Sequence, residues 1–128
     1  MKSPLLERID LDFAQIEIYK SYVISQIKEG VSFDEKHLIQ IYSVFETYFS
    51  GRPFVSIADR KFDYTINPNL LTDTKFPNLL GIGVVCYSEA SYNTALFEKE
   101  FFKGAFEVFY SMKACKTWCT TLLKQYES

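Results

Sequence analysis

Gly104-Ala105-Phe106-Glu107-Val108-Phe109-Tyr110-Ser111-Met112-Lys113-Ala114-Cys115-Lys116-Thr117-Trp118 reads as a strand, a helix cap and a helix in one run. Phe106–Tyr110 is rich in apolar and aromatic residues, as a short buried strand is. Ser111 then offers a side-chain oxygen to the free N–H groups of a first helical turn. The helix is expected over Met112–Tyr126, with Ala114 and Trp118 one turn apart. The run closes an alternation of strands and helices, and it carries no chemistry of its own.

Upstream, Gly104 ends an earlier helix that Ser88 caps, with Glu89 favourably placed in its first turn. That helix is expected to run to about Phe102 with Ala90, Phe97 and Phe101 on one face. Before it lies an apolar strand, Leu79–Tyr87. A second such strand starts at Pro53 and ends at Asp59-Arg60, the kind buried on both faces of a parallel sheet. Between them, 61–77 reads as a long irregular connection with a short helix at Asn69–Asp73; connections of this length often carry function. Leu38, Ile41, Tyr42, Phe45 and Phe49 form a helical stripe, opened by a capping box at Ser32-Phe33-Asp34-Glu35 and stopped at Gly51. Ile39, Val44 and Tyr48 lie off the stripe, which would have this helix covered on two sides. Two strands, Phe13–Tyr19 and Tyr22–Lys28, form a hairpin about Lys20-Ser21, and residues 1–10 read as a loose lead-in or the start of the first strand.

The order is therefore β-β-α-β-(α)-β-α-β-α, a single α/β domain over residues 1–128. It predicts a mixed, mostly parallel open sheet of about five strands with helices packed on it. At 128 residues the chain should bury about two thirds of its unfolded surface, so it needs no metal or disulfide staple. Net charge is −2 and neither half is basic, which disfavours nucleic acid as a partner. The longest apolar stretch, Leu79–Cys86 with its two glycines, falls far short of the roughly 20 residues of a membrane-spanning helix. An odd number of cysteines and a start without an apolar leader point to free thiols in a reducing cytoplasm. The outlier is the 17% aromatic content: the rings either fill the core or serve as interface anchors and pocket walls.

The element order, with the ending Phe106-x-Val108-Phe109 followed by Ala114-x-x-x-Trp118, resembles the SpoIIAA-like branch of the STAS superfamily (sulfate transporter and anti-sigma factor antagonist domains). The resemblance implies a small cytoplasmic binding or regulatory domain, often without a known enzyme activity. Anti-sigma antagonists of the superfamily carry a phosphorylatable serine in an Asp-x-Ser-Gly-type turn after the third strand. Here the turn reads Ala58-Asp59-Arg60-Lys61-Phe62: Asp59 matches, but no Ser-Gly follows. The phosphoserine is not carried over, and Tyr64 and Thr65 are merely the nearest hydroxyls.

Other motifs carry less. Nucleophilic catalysis needs a base, and the sole histidine, His37, reads as a solvated residue of a first helical turn. Cys115 and Cys119 share a helix face; they fit a buried stripe better than a metal site, which would need more ligands. Gly81 and Gly83 lie within a strand and read as close packing rather than a phosphate cradle. Glu98, Lys99 and Glu100 read as a solvated helix face.

In open α/β sheets ligands bind beyond the carboxyl ends of the strands. That edge would hold Asp59 and Arg60, with Tyr64 nearby, then Tyr87 and Ser88, then Ser111. These six are the candidate ligand-binding residues; no cofactor is expected. The leading expectation is a non-enzymatic domain acting through protein–protein contacts, as a homodimer or with another protein. The alternative is a small-molecule binder with an aromatic-lined pocket for a lipid-like or anionic ligand, where Arg60 would pair the acidic group. An enzyme built on Asp59 and Tyr64 ranks third.

Overall fold

The computed structural model describes residues 3–72 and 76–127. Asp73, the last residue of the short helix expected in the long connection, lies outside them. The main sheet has six strands in the order β1 (Glu7–Leu11), β2 (Ala14–Ile18), β3 (Tyr22–Ile27), β5 (Phe54–Arg60), β7 (Leu79–Cys86) and β8 (Ala105–Phe109). β1, β2 and β3 form an antiparallel meander, and β3, β5, β7 and β8 run parallel. The mixed, mostly parallel α/β architecture is thus as expected, with one strand more than about five. The extra strand is β1, cut from the lead-in: Ile9 and Leu11 pack on the core and Arg8 and Asp10 face outward.

The hairpin between β2 and β3 turns at Lys20-Ser21, where Tyr19 N–H donates to the Tyr22 carbonyl at 2.9 Å. No non-glycine residue among those described has positive φ, so this turn is neither I′ nor II′ and needs no Asn-Gly.

Helix α1 (Glu35–Phe49) lies on one face of the sheet, and α2 (Glu89–Lys99) lies on the same face over β7 and β8. Helix α3 (Met112–Glu127) covers the other face. The cap of α1 is Asp34, not Ser32, because Ser32 and Phe33 are taken up by a short strand, β4. Asp34 Oδ1 accepts from Glu35 N–H at 2.9 Å, and His37 Nδ1 accepts from Asp34 N–H at 2.9 Å. His37 is accordingly half-buried rather than freely solvated: it closes the cap and its ring packs on Phe13 and Phe33. Helix α1 presents one face inward, through Ile41, Val44, Phe45 and Phe49, while Ile39 is exposed. Gly51, at φ +75°, ends it in the left-handed region. The Asn78 amide binds the carbonyls of Phe49 and Arg52 and ties that end to the start of β7.

Helix α2 ends at Lys99, and the face expected to be buried is not. Ala90 and Phe97 are exposed, whereas Ala95 and Glu98 are buried. Strands β7 and β8 cover this helix along Val84, Cys86, Phe106 and Val108, and Ala95 is the small residue that lets them approach. Helix α3 sits close on β7 because Gly83 and Gly81 clear its path. A Cβ on Gly83 would stand 2.6 Å from Cys115 Sγ, and one on Gly81 would stand 2.9 Å from Leu122 Cδ1. Cys115 and Cys119 are buried, as the core stripe required. Helix α1 approaches the main sheet less closely than α3 does, with the rings of Phe45, Phe49 and Phe54 stacked between them.

The connection from β5 to β7 contains a two-residue strand, β6 (Thr65–Ile66), and one 3-10 turn, Pro68–Leu71. β6 pairs in parallel with β4, so the connection is anchored beside the start of α1.

Candidate functional site

Asp59 and Arg60 are not in a loop. They are the last two residues of β5, both 7% exposed, and successive strand residues point to opposite faces. The sheet therefore divides the six predicted residues into two groups.

On the α3 face, Tyr87 OH donates to Asp59 Oδ1 at 2.6 Å, and Gln26 Nε2 donates to Oδ2 at 3.4 Å. Burial, with the Asp59 hydrogen bond second, raises the Tyr87 pKa. Asp59 forms part of a polar groove of about 240 Å³ between α3 and the open face of β2 and β3, with Glu17, Lys61 and Lys116 on its rim. Ser88 and Ser111 are engaged as helix caps. Ser88 Oγ accepts from Ser91 N–H at 3.1 Å, and Ser111 Oγ accepts from Ala114 N–H at 3.2 Å.

On the opposite face, Arg60 Nη2 donates to Glu98 Oε1 at 2.8 Å and to Tyr64 OH at 3.0 Å, and Nη1 donates to Glu98 Oε2 at 3.3 Å. The guanidinium carbon lies 4.7 Å from the Tyr64 ring centre. Burial alone would lower the Arg60 pKa, but Tyr64 and Glu98 outweigh it and the net shift is upward. Burial raises the Tyr64 pKa against the pull of Arg60, so this phenol keeps its proton at neutral pH. Glu98, read from sequence as solvated, is the buried counter-ion of Arg60. The cation proposed to pair a ligand's acid thus has an internal partner.

Beside this group lies a partly open cavity of about 120 Å³ between the sheet and α1. Its floor is Ser25, Ser56, Ala58 and Ile82; its roof is Leu38, Ile41, Tyr42 and Phe45 of α1; Tyr64, Ile66, Leu70 and Leu71 of the anchored connection close one side. The gap has a plain origin. Large rings hold α1 off the sheet, and below it β3 and β5 present Ser25, Ser56 and Ala58, too short to fill the space. The polar side chains on its border are those of Ser25, Ser56, Tyr42 and Tyr64. Tyr64 is the one predicted site residue on the cavity wall, and Ser25 and Ser56 were missed. Their signal is a small polar residue on the helix-facing side of each of two neighbouring apolar strands, legible only once the strands are known to be adjacent.

Cys115 lies against Cys119, whose hydrogen bond, together with burial, raises the Cys115 pKa and keeps it a thiol. Among the described residues no group of three or more His, Cys, Asp or Glu side chains is placed to hold a metal ion, and no helix is long and apolar enough to cross a membrane.

No family model matches the chain, and no curated protein matches it. A solved structure does: an uncharacterised protein of the DUF3478 family with a SpoIIAA-like fold, from Shewanella loihica PV-4. The two share 15% identity and superpose with a TM-score of 0.60 over 93% of this chain and 98% of the other. At that identity the likeness speaks for architecture alone: the six-stranded mixed sheet with its three helices has a SpoIIAA-like fold.

Proposed function

We propose that this chain is a non-enzymatic binding domain that holds a small, largely apolar molecule between α1 and the sheet. The cavity of about 120 Å³ carries the reading: it is preformed, and its walls are aliphatic and aromatic. An apolar cavity of about 150 Å³ in another protein stays dry and takes up benzene. By that scale this one suits a single ring or a short alkyl chain rather than a full acyl tail.

The test is titration of the protein with benzene and with cyclohexane, followed by amide chemical shifts. Saturable shifts at Ser25, Leu38, Phe45 and Ser56 support the reading. Shifts absent there, or spread evenly over the surface, would overturn it.

A second reading, contact with another protein, rests on a different observation. Phe62, Tyr87 and Tyr110 follow the carboxyl ends of β5, β7 and β8, which lie side by side, and they are 42%, 52% and 57% exposed. Tyr110 is stacked on Tyr92 with 4.3 Å between centroids, so its ring is already held in place. Exposed, preorganised tyrosines are the residues on which interfaces depend most. Sedimentation equilibrium tests the homodimer form: association that Tyr87→Ala and Tyr110→Ala abolish supports it, and a monomer at high concentration counts against it.

A further inference from the structure

Ser25 and Ser56 stand on adjacent parallel strands, on the face turned to α1. Ser25 pairs in register with Ala58 and Ser56 with Val23, so the two serines are diagonal neighbours. Both are half-buried and both border the cavity. Neither hydroxyl has a hydrogen-bond partner among the described residues. This contrasts with the other serines that matter to the fold: Ser88 and Ser111 each have a backbone partner. Neither oxygen is sealed from solvent, so water serves both in the partly open cavity, and a ligand oxygen that enters takes the place of that water.

Charge narrows the match. No carboxylate, ammonium or guanidinium borders the cavity, and the nearest cation, Arg60, is neutralised by Glu98 at 2.8 Å. A carboxylate ligand would lose its water and find no counter-ion, as would an ammonium. A neutral oxygen has no such penalty. It can accept a hydrogen from one serine, or from both, while the rest of the molecule lies against Leu38, Ile41 and Phe45.

We infer that the molecule this cavity takes is neutral and carries a single oxygen acceptor, a ketone, ester or ether on a ring or short chain, and that Ser25 and Ser56 recognise that oxygen. The inference rests on the cavity-binding reading above and goes beyond it by setting the ligand's polarity. Of the lipid-like or anionic ligand that the sequence offered as an alternative, it keeps the apolar character and drops the charge.

The experiment compares two shape-matched probes, methylenecyclohexane and cyclohexanone, and a larger charged one on the same ring, cyclohexanecarboxylate, on the parent protein, on Ser25→Ala, on Ser56→Ala and on the double variant. Affinities are read by chemical-shift titration. The expected result is a fivefold to tenfold loss of cyclohexanone affinity in the double variant, the scale of one to two hydrogen bonds. Methylenecyclohexane should bind all four proteins equally or the double variant better, and the carboxylate should bind weakest. If methylenecyclohexane binds but the serine changes leave cyclohexanone unmoved, the inference fails and the cavity reading stands. Equal losses for the hydrocarbon and the ketone would reduce the serines to a structural role and also overturn it, as would tightest binding by the carboxylate. If no probe binds, both the inference and the cavity reading fall.

Discussion

Arg60 Nη2 lies 2.8 Å from Glu98 Oε1, joining the end of β5 to α2, and the two side chains are 6% and 7% exposed. The pair is bidentate, and Tyr64 takes a further Arg60 hydrogen. One consequence is structural: α2 is held to the sheet by an ion pair at a place where its apolar face is short, with Ala95 its one buried apolar residue. The other concerns the cavity, since the same guanidinium fixes the Tyr64 side chain that forms part of its wall.

Removing one partner of a buried pair is costlier than removing both. Glu98→Ala leaves a guanidinium buried without its counter-ion, and a loss of about 3–5 kcal/mol is expected. Replacing the pair together, Arg60→Met with Glu98→Leu, should return most of that stability. Urea unfolding of the three variants checks this. A Glu98→Ala variant as stable as the parent would show that water reaches the pair.

Gly83 faces α3 at its tightest point. A Cβ there would meet Cys115 Sγ at 2.6 Å and Trp118 Cζ3 at 3.3 Å. Gly83→Ala is therefore expected to cost about 1–3 kcal/mol by overpacking. Cys115→Ala removes the sulfur in the way, so the double variant Gly83→Ala/Cys115→Ala should be more stable than the two single costs add up to. Strict additivity in a thermal-unfolding double-mutant cycle would place the clash elsewhere.

The helices and parallel strands were legible in position: Ser88 and Ser111 cap α2 and α3 as read from the sequence, although the α1 cap and the buried face of α2 were misread. β1 was not legible, since Glu7–Leu11 alternates weakly and becomes a strand only by pairing with β2. Asp59 and Arg60 were found as candidates, but the sequence does not state on which face of the sheet each falls, and the two prove to lie on opposite faces. Glu98 sits among charges that read as a solvated face, and nothing local marks the one that turns inward to Arg60. Ser25 and Ser56 were missed for a related reason: they are 31 positions apart in number, and their common role depends on strand order.

The position of the α1 cap is directly testable. Asp34→Ala should cost about 1 kcal/mol, because Asp34 Oδ1 satisfies an otherwise free N–H of the first turn. Ser32→Ala should cost much less, since Ser32 lies outside the helix in β4. Chemical denaturation of the two variants decides between the caps, and the reverse ranking would restore Ser32 to the role its capping-box pattern suggests.

Alkaline pH offers a probe of the hairpin. The Tyr19 pKa is pushed up to about 12 by burial first and by its hydrogen bond to Glu17 Oε1 at 2.9 Å second. The ordinary value is 10.0. The folded state therefore holds this proton more tightly than the unfolded chain. Its contribution to stability is fully present below pH 10 and is lost as pH rises through about 12. Tyr19→Phe should flatten the fall in stability over that window, seen in urea midpoints taken at several pH values. An unchanged slope would mean Tyr19 titrates at its ordinary value.

Filling the cavity separates packing from binding. Ala58 lies on the floor beside Ser56, under the aliphatic residues of α1. Ala58→Val adds two methyl groups to empty space without a polar atom, and valine suits a strand. Burial of that added surface should raise stability by about 1 kcal/mol. The same methyl groups occupy the room a ligand needs, so the affinity for benzene and cyclohexane should fall at least tenfold. Gained stability with lost affinity is the signature of a cavity kept open for a ligand, because the chain then forgoes stability that one substitution recovers. Lost stability would instead mean that the floor is already packed to its limit, and the ligand site would have to be sought in the polar groove beside Asp59.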